Sequence, residues 1–353
     1  MEESGSGSDE GEDKMAKRDA YFDNMKFLLI SLVVIGHLIE PLSGQAAFRP
    51  LYLFIYSFHI PLFVLISGFF CKKITSSDYR IKVVGSLIVP YLIFESLYSL
   101  FDYFVMGAEQ LRFSYFMPNW LMWFIFSMII WKMLLPYAVK IRWALPISFG
   151  IAILAGYAAD AEYYASISRT IVFFPFFLAG YYLDKESIDR LRTPITRGAS
   201  ILVLAAAACL MIKYGSVLRP EWFYGSLPYR ALDHPEWTAG LYRAAAYGSA
   251  VLVGGSVMIL MTGRSIPYVS SFGRYTLYAY LLHSFIVKGM IAAGFYENYG
   301  ESAWTLLLIP LGVLLTAVLS SSPVRSRFGW LLEPKLDRLF KRPNQDGGAE
   351  AGR

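Results

Sequence analysis

Lys26 and His37 stand eleven residues apart in an otherwise apolar run, Lys26-Phe-Leu-Leu-Ile-Ser-Leu-Val-Val-Ile-Gly-His37-Leu. On a helix that spacing leaves them about 20° apart in rotation and ~16 Å apart in rise. They share one face, with the cation at the mouth of the segment and the imidazole about halfway along it. An ionisable group inside a membrane helix is costly to bury and marks a functional site. The pair suits a ligand whose charged end stays at the surface while its reactive end reaches into the bilayer.

Two further histidines, His59 and His283, fall inside apolar segments, as does Glu95. Counted from the outer end of each segment at ~1.5 Å per residue, His37 lies roughly 8 Å deep, His59 about 12 Å, Glu95 about 15 Å and His283 about 16 Å. Four ionisable groups at comparable depth on four helices can converge on one cavity. Pro61 removes the backbone hydrogen bond to the carbonyl of Ser57, which leaves an acceptor near His59. Tyr280 lies one turn before His283 and Ser284 beside it, so hydroxyl partners are at hand. Each feature also has a bland reading. A membrane histidine can simply bond a neighbouring helix, Glu95 can be a protonated structural acid, and Trp120 and Trp123 can be interfacial belt residues.

The elements that must carry these groups are membrane helices. The chain is 56% hydrophobic and 17% charged, against roughly 25% charged in a soluble domain. Ten apolar stretches read as spans, near 25–42, 51–70, 83–105, 119–139, 144–159, 166–183, 198–214, 240–262, 275–294 and 303–321. The fifth is short and the seventh alanine-rich. Basic residues concentrate in alternate loops, among them Lys72, Lys73, Arg80 and Lys82 after the second span and Lys185, Arg190, Arg192 and Arg197 after the sixth. That asymmetry predicts an all-α, multi-pass protein of the cell membrane with both termini cytoplasmic. The acidic, Gly/Ser-rich segment 1–17 reads as a disordered tail, 18–330 as the membrane domain and 331–353 as a basic cytoplasmic tail. The net charge of +5 is spread over these loops and gives no nucleic-acid footprint. Cys71 and Cys209 lie at or inside apolar segments, and the four histidines lack a cysteine or acidic cluster at ligand spacing, so no metal site is expected.

Several segments carry a resemblance in fixed order. They are Arg18-Asp-Ala-Tyr-Phe-Asp23-Asn-Met-Lys26 leading into Val34-Ile-Gly36-His37; Phe58-His59-Ile-Pro61-Leu-Phe63 with Ser67-Gly68-Phe69-Phe70; Trp120-Leu-Met-Trp123-Phe124; Phe174-Pro175-Phe176-Phe177-Leu-Ala-Gly180-Tyr181; and Thr276-Leu-Tyr278-Ala-Tyr280-Leu-Leu-His283. Together they resemble the acyltransferase-3 superfamily of integral membrane O-acyltransferases, in its fucose-4-O-acetylase-like branch. The resemblance implies transfer of an acyl group, most simply acetyl, from a cytoplasmic acyl-CoA to a hydroxyl of a sugar or cell-surface glycan. The family's basic residue and histidine fall on Lys26 and His37, with lysine here where arginine is frequent; lysine lacks the bidentate fork for phosphate.

On this reading neutral His37 is the general base, with a covalent acyl-histidine intermediate as the alternative route, and His59, His283 and Glu95 complete the catalytic set. His59 or Tyr280 donates to the oxyanion. Lys26, Arg80 and Lys82 bind the phosphates of the donor, and Trp123, Arg169 and Tyr280 contact substrate. The outer loop 215–239, with Trp222 and Trp237, offers stacking surfaces for sugar rings. A competing reading is a proton-coupled small-molecule transporter or glycan flippase, which would also bury His and Glu in ten spans.

Overall fold

A computed structural model describes residues 19–72, 83–158 and 166–334. Among them every regular element is helical: α1 (Ala20–Ile39), α2 (Arg49–Tyr56), α3 (His59–Phe69), α4 (Val89–Phe104), α5 (Trp123–Ala138), α6 (Ala144–Leu154), α7 (Ile167–Tyr182), α8 (Lys185–Leu191), α9 (Pro194–Tyr214), α10 (Ala239–Leu260), α11 (Thr276–Ala292), α12 (Leu308–Leu319) and α13 (Ser322–Leu332), joined by shorter turns. Six stretches are long and apolar enough to cross a membrane, and a seventh results if Ala303–Leu319 and Ser322–Leu332, bent by 67°, form one span. Shorter apolar helices, Ala144–Tyr157, Ile167–Tyr182 and Thr276–Ala292, occupy the places of the fifth, sixth and ninth expected spans. The protein is a multi-pass membrane protein.

α1 is the axis of the bundle. It is apolar on every side, which is the pattern of a helix enclosed by others. Tyr21, Met25, Leu29, Ile30, Val34, Leu38 and Ile39 have no exposed surface. α2, α3, α11 and α12 pack around it. Its polar start is anchored: the Asn24 amide donates to the carbonyls of Thr262 and Arg264, the Ser270 hydroxyl donates to Asn24 Oδ1, and the Tyr21 hydroxyl donates to the carbonyl of Met258. Tyr21 and Asn24 therefore tie the start of α1 to the end of α10 and the segment after it.

The second span, Arg49–Phe69, is broken at Ser57–Phe58, so α2 and α3 are separate helices. At the break the imidazole of His59 supplies a local hydrogen bond, with Nδ1 2.7 Å from the carbonyl oxygen of Ile55. α3 then meets α7 backbone to backbone. A Cβ on Gly68 would stand 1.9 Å from the carbonyl oxygen of Phe177, and one on Gly180 would stand 1.8 Å from that of Leu65. Small residues at both positions permit the close approach that drives helix association in lipid.

Because the clash is with backbone and has no flexible side chain to absorb it, Gly68→Ala and Gly180→Ala should each destabilise at or beyond the top of the about 1–3 kcal/mol range for overpacking. Gly150→Ala, where a Cβ meets nothing within 4 Å, is the control. Thermal melting in detergent that leaves all three variants alike would show that the α3–α7 seam is not a constraint.

Candidate active site

His37 lies in the last turn of α1, and the chain turns immediately after it because Pro41 follows in the 3-10 turn Glu40–Leu42. That turn swings Glu40 back over the imidazole: His37 Nδ1 is 2.9 Å from Glu40 Oε2. An ionised carboxylate can only accept, so Nδ1 carries the proton and neutral His37 presents Nε2 as a bare lone pair. The same logic fixes the other two buried rings. His59 Nδ1 donates to the carbonyl of Ile55 and His283 Nδ1 to that of Ala279 at 2.8 Å, leaving each Nε2 an acceptor while the ring is neutral. Nε2 of His283 is buried with no hydrogen-bond partner.

The three histidines converge. The His37 and His283 rings stack with centroids 5.5 Å apart, and His59 joins His37 in the wall of one cleft. Trp120 packs edge-on against His37 at 4.4 Å. The cleft has a volume of about 80 Å³ and is lined by Glu40, Tyr56, Trp120, Trp123, Arg169 and Tyr224 besides the two histidines. The Arg169 guanidinium lies 4.9 Å from the centre of the Trp123 ring, which it covers. A second, smaller cavity of about 20 Å³ meets the first at His37, Ile60 and Trp123; its other walls are Val33, Phe63, Leu121, Phe124 and Tyr280. His37 thus has a polar space on one side and an apolar one on the other.

A family model described as an acyltransferase domain (Acyl_transf_3) matches residues 19–321. The chain belongs to the acyltransferase-3 superfamily. Residues 19–321 are its acyltransferase domain. Among curated relatives, Nodulation protein NolL of Sinorhizobium fredii (strain NBRC 101917 / NGR234) is 27% identical over 222 residues, covering 55% of this chain and 56% of that protein. Nodulation protein NolL of Mesorhizobium japonicum (strain LMG 29417 / CECT 9101 / MAFF 303099) is 50% identical over 56 residues, 15% of each chain. The matched stretches therefore span about half of the first relative's length and far less of the second's. No solved structure matches.

Of the residues expected in the acyltransferase site, the structure brings together His37, His59, His283, Trp123, Arg169 and Tyr280. Neither His59 nor Tyr280 has a proton to give an oxyanion. The Nδ1 proton of His59 is committed to Ile55, and the Tyr280 hydroxyl donates to the carbonyl of Leu121. Lys26 is on the same helix as His37, as its spacing requires, but its ammonium is paired with the buried carboxylate of Asp23 at 2.7 Å. Arg80 and Lys82 lie outside the described residues.

Glu95 takes a different place from the one expected. It is absent from both cavity walls, and its carboxylate accepts the backbone N–H of Asn119 at 2.9 and 3.1 Å. The Asn119 amide donates to Asp102 Oδ2, and Lys288 bridges Asp102 (2.7 Å) and Asn119 Oδ1 (2.9 Å). This α4–α11 network holds the residue immediately before Trp120. In the loop 215–239, Trp222 packs with Tyr229, His234 and Tyr242 and Trp237 is 79% exposed; Phe223 and Tyr224 are the residues that reach the cleft. In the same loop, the hydrogen bond from His234 holds the Glu236 carboxyl below the usual range.

Sequence reasoning missed Glu40 and Tyr56, and read Trp120 as an interfacial belt residue. For Glu40 the signal was present, since an acidic residue three positions after a histidine shares its helix face.

Lys288→Met removes the cation of the network. A double-mutant cycle with Asp102→Asn, read by thermal melting in detergent, should return a coupling of about 0.5–3 kcal/mol. Strictly additive shifts would show that Lys288 and Asp102 do not act together in holding Asn119 and the turn at Trp120.

Proposed function

We propose that the protein is a membrane O-acyltransferase that moves an acyl group, acetyl in the simplest case, from a cytoplasmic acyl-CoA to a hydroxyl of a sugar or cell-surface glycan. The observation that carries the reading is the Glu40–His37 pair at the junction of a polar cleft and an apolar cavity. In it, an acidic residue orients an imidazole and its outward nitrogen is left free to take a proton, the arrangement of general-base catalysis with a positioned base.

The acceptor hydroxyl sits in the polar cleft and gives its proton to His37 Nε2 as its oxygen attacks the thioester carbonyl carbon. The resulting imidazolium is stabilised by the Glu40 carboxylate through Nδ1–H. Arg169, in the same cleft, supplies positive charge for the oxyanion or for the acceptor. As the tetrahedral intermediate collapses, the carbon–sulfur bond breaks and the imidazolium returns the proton to the departing thiolate. The products are the ester and free CoA, and the base is regenerated. The aromatic faces of Trp120 and Phe223 suit the apolar side of a sugar ring. His283 is stacked behind His37 with its Nε2 buried and unpartnered. With the start of α1 at the cytoplasmic face, the donor comes to His37 from inside and the acceptor from outside.

The test is label transfer or thioester turnover by the purified protein in detergent with labelled acetyl-CoA. His37→Ala should lose on the order of 10²-fold or more in rate, the contribution of a positioned general base. Glu40→Gln should lower kcat with little change in the KM for the donor. Equal turnover by wild type and His37→Ala would remove the histidine from the chemistry. A folded protein that neither binds nor turns over the donor would return the reading to a transporter.

A further inference from the structure

The inner cavity that meets the cleft at His37 has a volume of about 20 Å³, and one water-sized group needs roughly 10–15 Å³ of such space. There is thus room for a methyl group and little more. Its floor is aromatic. The Phe63 and Phe124 rings meet edge to face at 5.4 Å, and Phe124 and Tyr280 lie 5.7 Å apart. These walls are braced from behind. The Tyr280 hydroxyl donates to the carbonyl of Leu121, which is itself a wall residue. Phe124 packs against Trp131, which has no exposed surface and donates to the carbonyl of Thr170 at 2.8 Å.

Resting on the acyl-transfer reading of this site, we propose that Phe63, Phe124 and Tyr280 are its acyl-length determinants: the acyl chain enters the inner cavity, and these rings stop it after two carbons. The chemistry of the lining also selects against charge. Val33, Ile60, Phe63, Leu121 and Phe124 are apolar, and the hydroxyl of Tyr280 is already committed to Leu121. The remaining lining residues, His37 and Trp123, carry no positive charge while the base is neutral, so a dicarboxylic acyl group such as succinyl would bury a carboxylate there without a cation to pair it, which is unfavourable. In an apolar pocket each extra methylene is discriminated by about 10–200-fold, so the wild-type preference for acetyl over hexanoyl is large.

The experiment measures CoA thiol released by the full-length protein in detergent from acetyl-, butyryl-, hexanoyl- and succinyl-CoA, with water as the acceptor. Thermal stabilisation by the same four donors serves as a readout that needs no turnover. Phe124→Ala should raise the hexanoyl-to-acetyl ratio by at least about tenfold in either readout while leaving succinyl rejected. Phe63→Leu and Phe124→Leu, which keep the core filled, should shift the ratio in the same direction by less and cover the case in which the alanine variant does not fold. A ratio that stays constant, or acetyl and hexanoyl activities that fall together as they would if the pantetheine arm occupied this space, overturns the proposal while acyl transfer stands. Loss of His37 dependence, or no stabilisation by any donor, overturns the acyl-transfer reading and the length rule with it.

Discussion

The α3–α7 seam is the constraint on which the site geometry depends. In lipid, apolar side chains gain little from meeting one another, so close backbone approach and dispersion must hold helices together. Gly68 and Gly180 face each other's helices at distances where no Cβ fits. That contact fixes the separation between the helix bearing His59 and the one bearing Arg169. Both residues line the cleft that contains His37. A wider seam would part the two walls.

A second constraint comes from the buried imidazoles. Each Nδ1 is given an acceptor within its own stretch of chain: Glu40 for His37, Ile55 for His59 and Ala279 for His283. Only His37 is matched with a carboxylate instead of a backbone carbonyl. A carbonyl fixes the tautomer, whereas a carboxylate also stabilises the protonated ring through its full charge. Three similar residues at similar depth thereby acquire different chemistry, and the difference lies in their hydrogen-bond partners.

The polar residues outside the cleft are arranged to hold backbone in place. Tyr21 and Asn24 anchor the start of α1 to the last turn of α10 and to the segment that follows it. Glu95, Asp102 and Lys288 anchor Asn119 and so the turn that carries Trp120 onto His37. Buried charges are tolerated in such positions when they are paired and hydrogen-bonded. The position of Glu95 follows from this: its depth matched that of the histidines, but its carboxylate satisfies the N–H of a broken helix start, where no preceding turn can do so.

That the protein is helical and crosses the membrane several times follows from hydropathy alone, because long apolar runs satisfy their backbone in lipid as helices. The sequence also placed Lys26 and His37 on one helix face, since helical periodicity relates residues within one segment. The family was legible for the same kind of reason, as an ordered set of local patterns. Contacts between segments were not legible. Equal depth is a necessary condition for His37, His59, His283 and Glu95 to meet, and it carries no information about rotation of each helix, so three converge and one points elsewhere. Trp120, Tyr56 and Phe223 resemble ordinary interfacial aromatics until the folding of α1, α3 and α7 against one another brings them to the histidine. Lys26 resembles a free phosphate ligand until Asp23, one turn away, turns to the same face. Periodicity and hydropathy act along the chain, whereas the site is built across it, by the rotation and packing of one helix against another.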